Sequence, residues 1–318
     1  MRTLIVLCAS KLKFLNKPSV LEKHPSDGQL LGYLAIKDVF PETYDRIIYT
    51  FLKTDNVQYN IIEQLNKVLP KTLRIETFLL DRSTSGPAET AYLTIKNMNV
   101  KGEVCIRDSH NYIKLIKPIQ GNCIAGIDLT TYDETVENLR RKSFLVLNEQ
   151  NQVLDIVEKS FRSDVISVGL YNFKDIDDFL SVYEHLITEP YPIEKLYISH
   201  IISYLIGYKG RIFREIEVKK YEDWGCMSAW KKLQKQFATY FIDVEMLMRY
   251  SYQEYILEIN ELNKRQKRGA LIVAYGGNGY SKELIYEKFS EYNIVPNKVL
   301  LGINESKEKV ILHSLEEL

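Results

Sequence analysis

The sequence predicts an α/β protein with a mixed, mainly parallel sheet covered by helices on both faces, followed by a smaller α/β unit. Two patterns carry this expectation. Short β-rich apolar runs alternate with helix-periodic segments through the first two thirds of the chain, and the same alternation restarts near Trp230. Size agrees, since 318 residues exceed one average domain and suit two. The expected division is 1–232 and 236–318.

Taken in order, residues 3–8 read as a strand, 29–39 as a helix, 46–51 as a strand and 57–68 as an amphipathic helix. Residues 73–80 form the next expected strand. Gly86-Pro87-Ala88-Glu89-Thr90 then opens a helix, because a proline ring is tolerated in a first turn that has no hydrogen bond to lose. Residues 103–107 read as a central strand, and in a parallel sheet a ligand sits beyond the carboxyl ends of such strands, where Asp108 stands. From 122 to 173 the pattern changes to short strands, including 143–147, 153–157 and 165–171, before helices at 176–186 and 196–206. A polar connector at 231–236 leads to a strand at 240–245, a helix at 253–268, a strand at 270–275, a helix at 281–292 and a strand at 298–301.

Composition excludes several roles. With 42 basic and 42 acidic side chains and 45% hydrophobic residues, the chain has a core to fill and no net field drawing it to nucleic acid. The apolar run after Met1 is too short for a secretion signal, and no apolar stretch reaches the roughly 18 residues of a membrane span, so a cytoplasmic protein is expected. Cys8, Cys105, Cys123 and Cys226 are scattered without metal-ligand spacing and read as buried free thiols.

The chemistry concentrates in a few segments. Val104-Cys105-Ile106-Arg107-Asp108-Ser109-His110-Asn111-Tyr112 is an apolar strand that stops on an acid and then places a His-Asn pair. Tyr221-Glu222-Asp223-Trp224-Gly225-Cys226 sets a second acid before a Trp-Gly step. Ser83-Thr84-Ser85-Gly86-Pro87-Ala88-Glu89-Thr90 is a turn of small residues, Val157-Glu158-Lys159 ends a strand on a charged pair, and Ser167-Val168-Gly169-Leu170-Tyr171-Asn172-Phe173 is a glycine-bearing strand. Tyr197-Ile198-Ser199-His200 begins a helix, where His200 suits a cap. Taken singly, Asp108 and Asp243 fit a cap or turn equally well, and His110 fits a polar loop residue.

In this order, over residues 1 to 230, the segments resemble the sugar-nucleotide nucleotidyltransferase family, close to its branch in capsule and surface-polysaccharide synthesis. The resemblance implies a nucleotidyltransferase-type, GT-A-like fold. It also implies a nucleoside triphosphate and a phosphorylated sugar or polyol as substrates, with Mg²⁺ or Mn²⁺ bridging the phosphates. By the same resemblance Asp108, His110 and Asp223 would hold the metal. Lys13, Lys17 and Lys159 would be the catalytic cations, and Lys11, Ser85, Gly86, Asn111, Gly169 and Tyr171 would contact substrate.

The chain departs from that family at two places. His110 stands where an acid normally precedes the asparagine, which disfavours hard Mg²⁺. Leu7-Cys8-Ala9-Ser10-Lys11-Leu12-Lys13-Phe14 places Ala9 and Lys11 where two glycines would expose backbone amides to a triphosphate, and Lys13 where an arginine belongs. Two readings follow. One is transfer of a nucleoside monophosphate to a phosphorylated sugar or polyol for surface polysaccharide; the other is an eroded pseudoenzyme that binds a nucleotide sugar, a glycan intermediate or a partner enzyme.

In the C-terminal unit, Phe241-Ile242-Asp243-Val244-Glu245 resembles the first motif of haloacid-dehalogenase-type phosphatases. Glu245 replaces their second aspartate, Ile272-Val273-Ala274-Tyr275-Gly276-Gly277 lacks the hydroxyl residue, and Lys309-Val310-Ile311-Leu312-His313-Ser314 has no acid pair. This degenerate HAD-like domain is therefore expected to be inactive. Its expected role is a homo-oligomer surface or a lid.

Overall fold

The computed structural model describes residues 1–9, 13–14, 17–132, 136, 138–189, 195–237, 239–249, 256–267, 270–276 and 279–301. The chain divides into two compact units, Met1–Trp230 and Lys231–Leu318. The first contains strands β1 (Arg2–Leu7), β2 (Lys13–Phe14), β3 (Lys17–Pro18), β4 (Arg46–Leu52), β5 (Ile75–Leu80), β6 (Glu103–Asp108), β7 (Asn111–Leu115), β8 (Cys123–Asp128), β9 (Ser143–Leu147), β10 (Gln152–Glu158), β11 (Val165–Phe173) and β12 (Phe213–Asp223). Its helices are α1 (Leu31–Lys37), α2 (Lys53–Tyr59), α3 (Ile61–Val68), α4 (Pro87–Asn97), α5 (Ile176–Leu186) and α6 (Ile198–Gly207), before α7 (Met227–Gln236).

Among the described residues, ten strands form one sheet in the order β5-β4-β1-β6-β11-β8-β12-β10-β9, with β7 paired to β12. The run β5-β4-β1-β6 is parallel, and β11 closes it antiparallel to β6. This is the mixed α/β architecture expected from the sequence. Helices cover both faces because each central strand is apolar on both: Leu4 and Val6 join one buried cluster with Ile36, Leu65 and Tyr49, while Ile5 and Leu7 join another with Ala91, Ile95, Phe179 and Ile202. Each such side chain contributes about 1.5–3 kcal/mol by leaving water. No helix among the described residues is long and apolar enough to cross a membrane, and all four cysteines are free and buried.

Three local expectations need correction. The helix expected at 57–68 is two helices, because Asn60 adopts φ 50° between α2 and α3. Residues 231–236 are not a connector but the second half of α7, whose charged run conceals the buried Leu233. The strand expected at 240–245 stops at Asp243, and Glu245 lies in the first turn of a helix.

β12, eleven residues long, pairs with β8 through its first half and with β7 through its second. Glu215 sits in the first half, opposite Ile124. Burial, reinforced by Glu217 and Asp128, pushes its carboxyl up to about 7 from 4.5. The folded chain thus holds a proton that the unfolded chain releases between those values, and stability falls as pH rises through that window. Glu215→Gln is expected to be more stable than wild type at pH 8, by about 1 kcal/mol after solvent screening, and equal to it below pH 4.5. Thermal melts at the two pH values check this, and an equal difference at both would contradict it.

Among the described residues, the second unit has a parallel three-stranded sheet in the order β13 (Thr239–Asp243), β14 (Leu271–Gly276), β15 (Lys298–Leu301), with helices α8 (Val244–Arg249), α9 (Ile256–Lys267) and α10 (Lys282–Ser290). Val244, Ile272, Ala274, Ile285 and Phe289 form its core. Asp243 ends β13; its side chain lies outside the described residues, as do residues 277–278 and 309–314.

Candidate functional site

The parallel register sets Asp108 beside Leu7 at the carboxyl ends of β6 and β1. Beyond it the chain turns through Ser109 and His110 into β7, and three bonds fix that turn. Ser109 Oγ donates to the Leu7 carbonyl at 2.8 Å, Trp224 Nε1 donates to the Ser109 carbonyl at 3.1 Å, and Trp224 N–H donates to the His110 carbonyl at 3.0 Å. Trp224 is fully buried, so its indole bond is shielded from competing water. The β12–β7 register then puts Asp223 opposite Asn111. Residues about a hundred positions apart in sequence thereby flank one hollow.

Arg107, also fully buried, braces this corner. Its Nε donates to the Ala35 carbonyl at 3.1 Å, Nη1 to the Gly169 carbonyl at 3.3 Å and Nη2 to the Asn111 carbonyl at 2.7 Å. Gly169, at φ +77°, lets β11 pass against Asp108, and a Cβ there would stand 2.5 Å from Asp108 Oδ2. Gly86 serves a similar close approach, since its Cβ would stand 2.8 Å from the Leu196 carbonyl. The small-residue turn is held by Thr84 Oγ1 against Thr90 Oγ1 at 2.7 Å and by Ser85 N–H donating to Glu89 Oε2 at 2.5 Å.

The cavity these elements enclose measures about 470 Å³. Asp108, His110, Asn111, Asp223, Ser85, Gly86, Gly169 and Tyr171 all line it. Lys17 and Lys159 do not. Lys17 pairs with Glu22 at 3.4 Å, and Lys159 packs over the Tyr197 ring, bonds its hydroxyl and pairs with Glu158. Lys13 belongs to β2, but its side chain, like the whole of Lys11, lies outside the described residues. Among the described residues the lysine and arginine side chains on the wall are instead Arg141, Lys142 and Lys195, which sequence reasoning passed over. Arg141 and Lys142 follow another basic residue, Arg140, and such a run reads as solvated surface.

Electrostatics distinguish the groups. Burial raises the Asp108 carboxyl above the ordinary aspartate value, opposed by His110, Arg107 and Lys142. Burial also lowers His110, against the pull of Asp108 and Asp223, and so favours a neutral imidazole. Burial pulls the Lys142 ammonium down, yet Tyr221 and Asp223 outweigh it and leave it above the ordinary lysine value. Glu158 Oε2 is occupied by Ser143 Oγ at 2.5 Å and Ser199 Oγ at 2.6 Å. Asn111 Oδ1 is buried without a hydrogen-bond partner among the described residues, which leaves an acceptor for a ligand. His200 Nδ1 accepts from Tyr197 N–H at 3.2 Å, the helix-start role expected of it.

No family profile matches the sequence, and no curated protein matches it. Solved structures do resemble it in fold. The nucleoside-diphosphate-sugar pyrophosphorylase from Vibrio cholerae RC9 is 17% identical, covering 72% of this chain and 99% of that one at a TM-score of 0.59. The inositol-1-phosphate CTP transferase from T. maritima is 12% identical, covering 74% and 95% at 0.55. A UDP-glucose pyrophosphorylase complexed with UDP-glucose is 11% identical, covering 74% and 97% at 0.55. At these identities the likeness is one of fold, and the first unit has the nucleotidyltransferase-type architecture.

Proposed function

We propose that the cavity is a nucleotide and sugar-phosphate site, and that the protein transfers a nucleoside monophosphate from a nucleoside triphosphate to a phosphorylated sugar or polyol. The observation that carries this is the gathering of Asp108, Asn111 and Asp223 with the Ser85-Gly86 turn around one cavity, at the carboxyl ends of parallel strands. The Ser85-Gly86 turn offers backbone to a base edge, and Asn111 Oδ1 accepts a ligand hydroxyl or amide proton. Arg141, Lys142 and Lys195 offset phosphate charge. In the reaction a phosphate oxygen of the acceptor attacks the α-phosphorus, the bond from that phosphorus to the bridging oxygen breaks, and pyrophosphate leaves with the electron pair. The product suits surface or capsular polysaccharide assembly, as the motif order suggests.

The divalent metal implied by the resemblance fits these residues poorly. Asp223 Oδ1 accepts from Gly225 N–H at 2.7 Å and Oδ2 from Lys142 Nζ at 2.6 Å, so both of its oxygens are engaged, and His110 offers nitrogen. Among the described residues there is no cluster of three or more His, Cys, Asp and Glu disposed to hold an ion. The same features support a second reading, a protein that binds these ligands without turnover.

Pyrophosphate release tests the proposal. The protein is incubated with CTP, UTP, GTP and dTTP in turn, each against a panel of sugar and polyol phosphates. Release with one base and one acceptor is expected, falling about 100-fold or more in Lys142→Ala, which removes a donor to the phosphates. Ligand binding with no release anywhere in the panel would favour the second reading, and neither binding nor release would sink both.

A further inference from the structure

We infer that Lys142 is a built-in cation of the site, holding with its ammonium the place beside Asp223 that a divalent ion would take and presenting a proton to the ligand's phosphates. This rests on the nucleotide reading above and adds that phosphate binding needs no metal.

The geometry supports it on three counts. Lys142 follows the turn Leu139–Arg141, where its N–H donates to the Leu139 carbonyl at 3.0 Å and its carbonyl accepts from Lys159 N–H at 3.0 Å, so both backbone groups are fixed. Its side chain is 15% exposed and that of Asp223 9%, so the pair lies in the cavity wall, shielded from bulk solvent. An ammonium has three protons to donate. Two go to Asp223 Oδ2 at 2.6 Å and Tyr221 Oη at 2.7 Å, and among the described residues the third has no acceptor.

The neighbouring departures fit the same arrangement. His110 stands where the resemblance expects a carboxylate, so one negative charge that a divalent ion would have balanced is missing. A single fixed ammonium then compensates Asp223 without the surplus charge a divalent ion would bring. Because its side chain is ordered before ligand arrives, the entropic cost of placing a cation falls on folding rather than on binding.

Calorimetric titration of the full chain with pyrophosphate, once with EDTA and once with Mn²⁺, provides the test. The expected dissociation constants agree within about threefold, Lys142→Gln weakens binding at least tenfold under both conditions, and Lys142→Arg recovers most of the loss. In parallel, Mn²⁺ alone is followed by the resonance of the free ion. Wild type is expected to leave it free, whereas Lys142→Gln/His110→Asp gains a site that a further Asp223→Asn removes. Pyrophosphate binding that requires Mn²⁺, an Asp223-dependent Mn²⁺ site in wild type, or unweakened binding by a folded Lys142→Gln would each overturn the inference while leaving the nucleotide site standing. No pyrophosphate binding under either condition would overturn both. The wild-type comparison needs no variant, so a Lys142→Gln chain that fails to fold does not block the decision.

Discussion

Arg107→Met should cost about 3–5 kcal/mol of folding stability, enough to unfold a marginal chain. The guanidinium is fully buried and donates to carbonyls of α1 (Ala35), β7 (Asn111) and β11 (Gly169), of which Asn111 and Gly169 line the cavity. Burial lowers its pKa to about 10, so it remains charged near neutrality. Methionine fills much of the volume but withdraws the donor from three carbonyls, each loss costing about 1–3 kcal/mol before relaxation. Arg107→Lys keeps the charge but not the planar fork, and is expected to fall between the two. Urea unfolding of the three proteins measures this; a loss below about 1 kcal/mol for Arg107→Met would contradict the bracing role.

Gly169→Ala should strike both stability and ligand binding. A residue with a Cβ at φ +77° costs about 1 kcal/mol. The larger effect is steric, because the new carbon would lie 2.5 Å from Asp108 Oδ2 and 2.9 Å from Asp108 Cβ, and no rotation of the Asp108 side chain moves its Cβ. A total loss of about 2–4 kcal/mol is expected, with pyrophosphate binding weakened more than tenfold. A double-mutant cycle isolates the cause. With Asp108→Ala already present, the cost of Gly169→Ala should shrink by more than about 1 kcal/mol, and strict additivity would rule out the clash.

Much of the fold is legible in the chain because its central strands are apolar on both faces. Residues 3–8, 46–51, 73–80 and 103–107 stand out as β-rich runs, and all lie in the parallel part of the sheet. β12 escaped that reading. Its sequence Phe213-Arg214-Glu215-Ile216-Glu217-Val218-Lys219-Lys220-Tyr221-Glu222-Asp223 is dominated by charge, and only the tertiary pairing with β7 and β8 reveals a strand. That strand also delivers Asp223 to the cavity, so the second acid could be recognised by its Trp-Gly neighbours but not placed. Asn60 hid a helix break because asparagine tolerates a left-handed backbone that no periodicity records.

The cavity's acids were legible and its cations were not. Asp108 and Asp223 end strands, whereas Lys142 sits in a basic run whose members look alike until folding buries one of them against Tyr221 and Asp223. Lys159 illustrates the converse. Its motif match is good, yet its side chain packs on Tyr197, and Lys159 is not among the residues that line the cavity.

The most direct test of the central claim is a crystal structure of the protein soaked with a nucleoside triphosphate. The expected result is nucleotide density in the cavity between Asp108 and Asp223, with a phosphate oxygen about 2.7–3.2 Å from Lys142 Nζ and the base against Ser85 and Gly86. A cavity without density at saturating nucleotide, or nucleotide bound elsewhere on the chain, would contradict it.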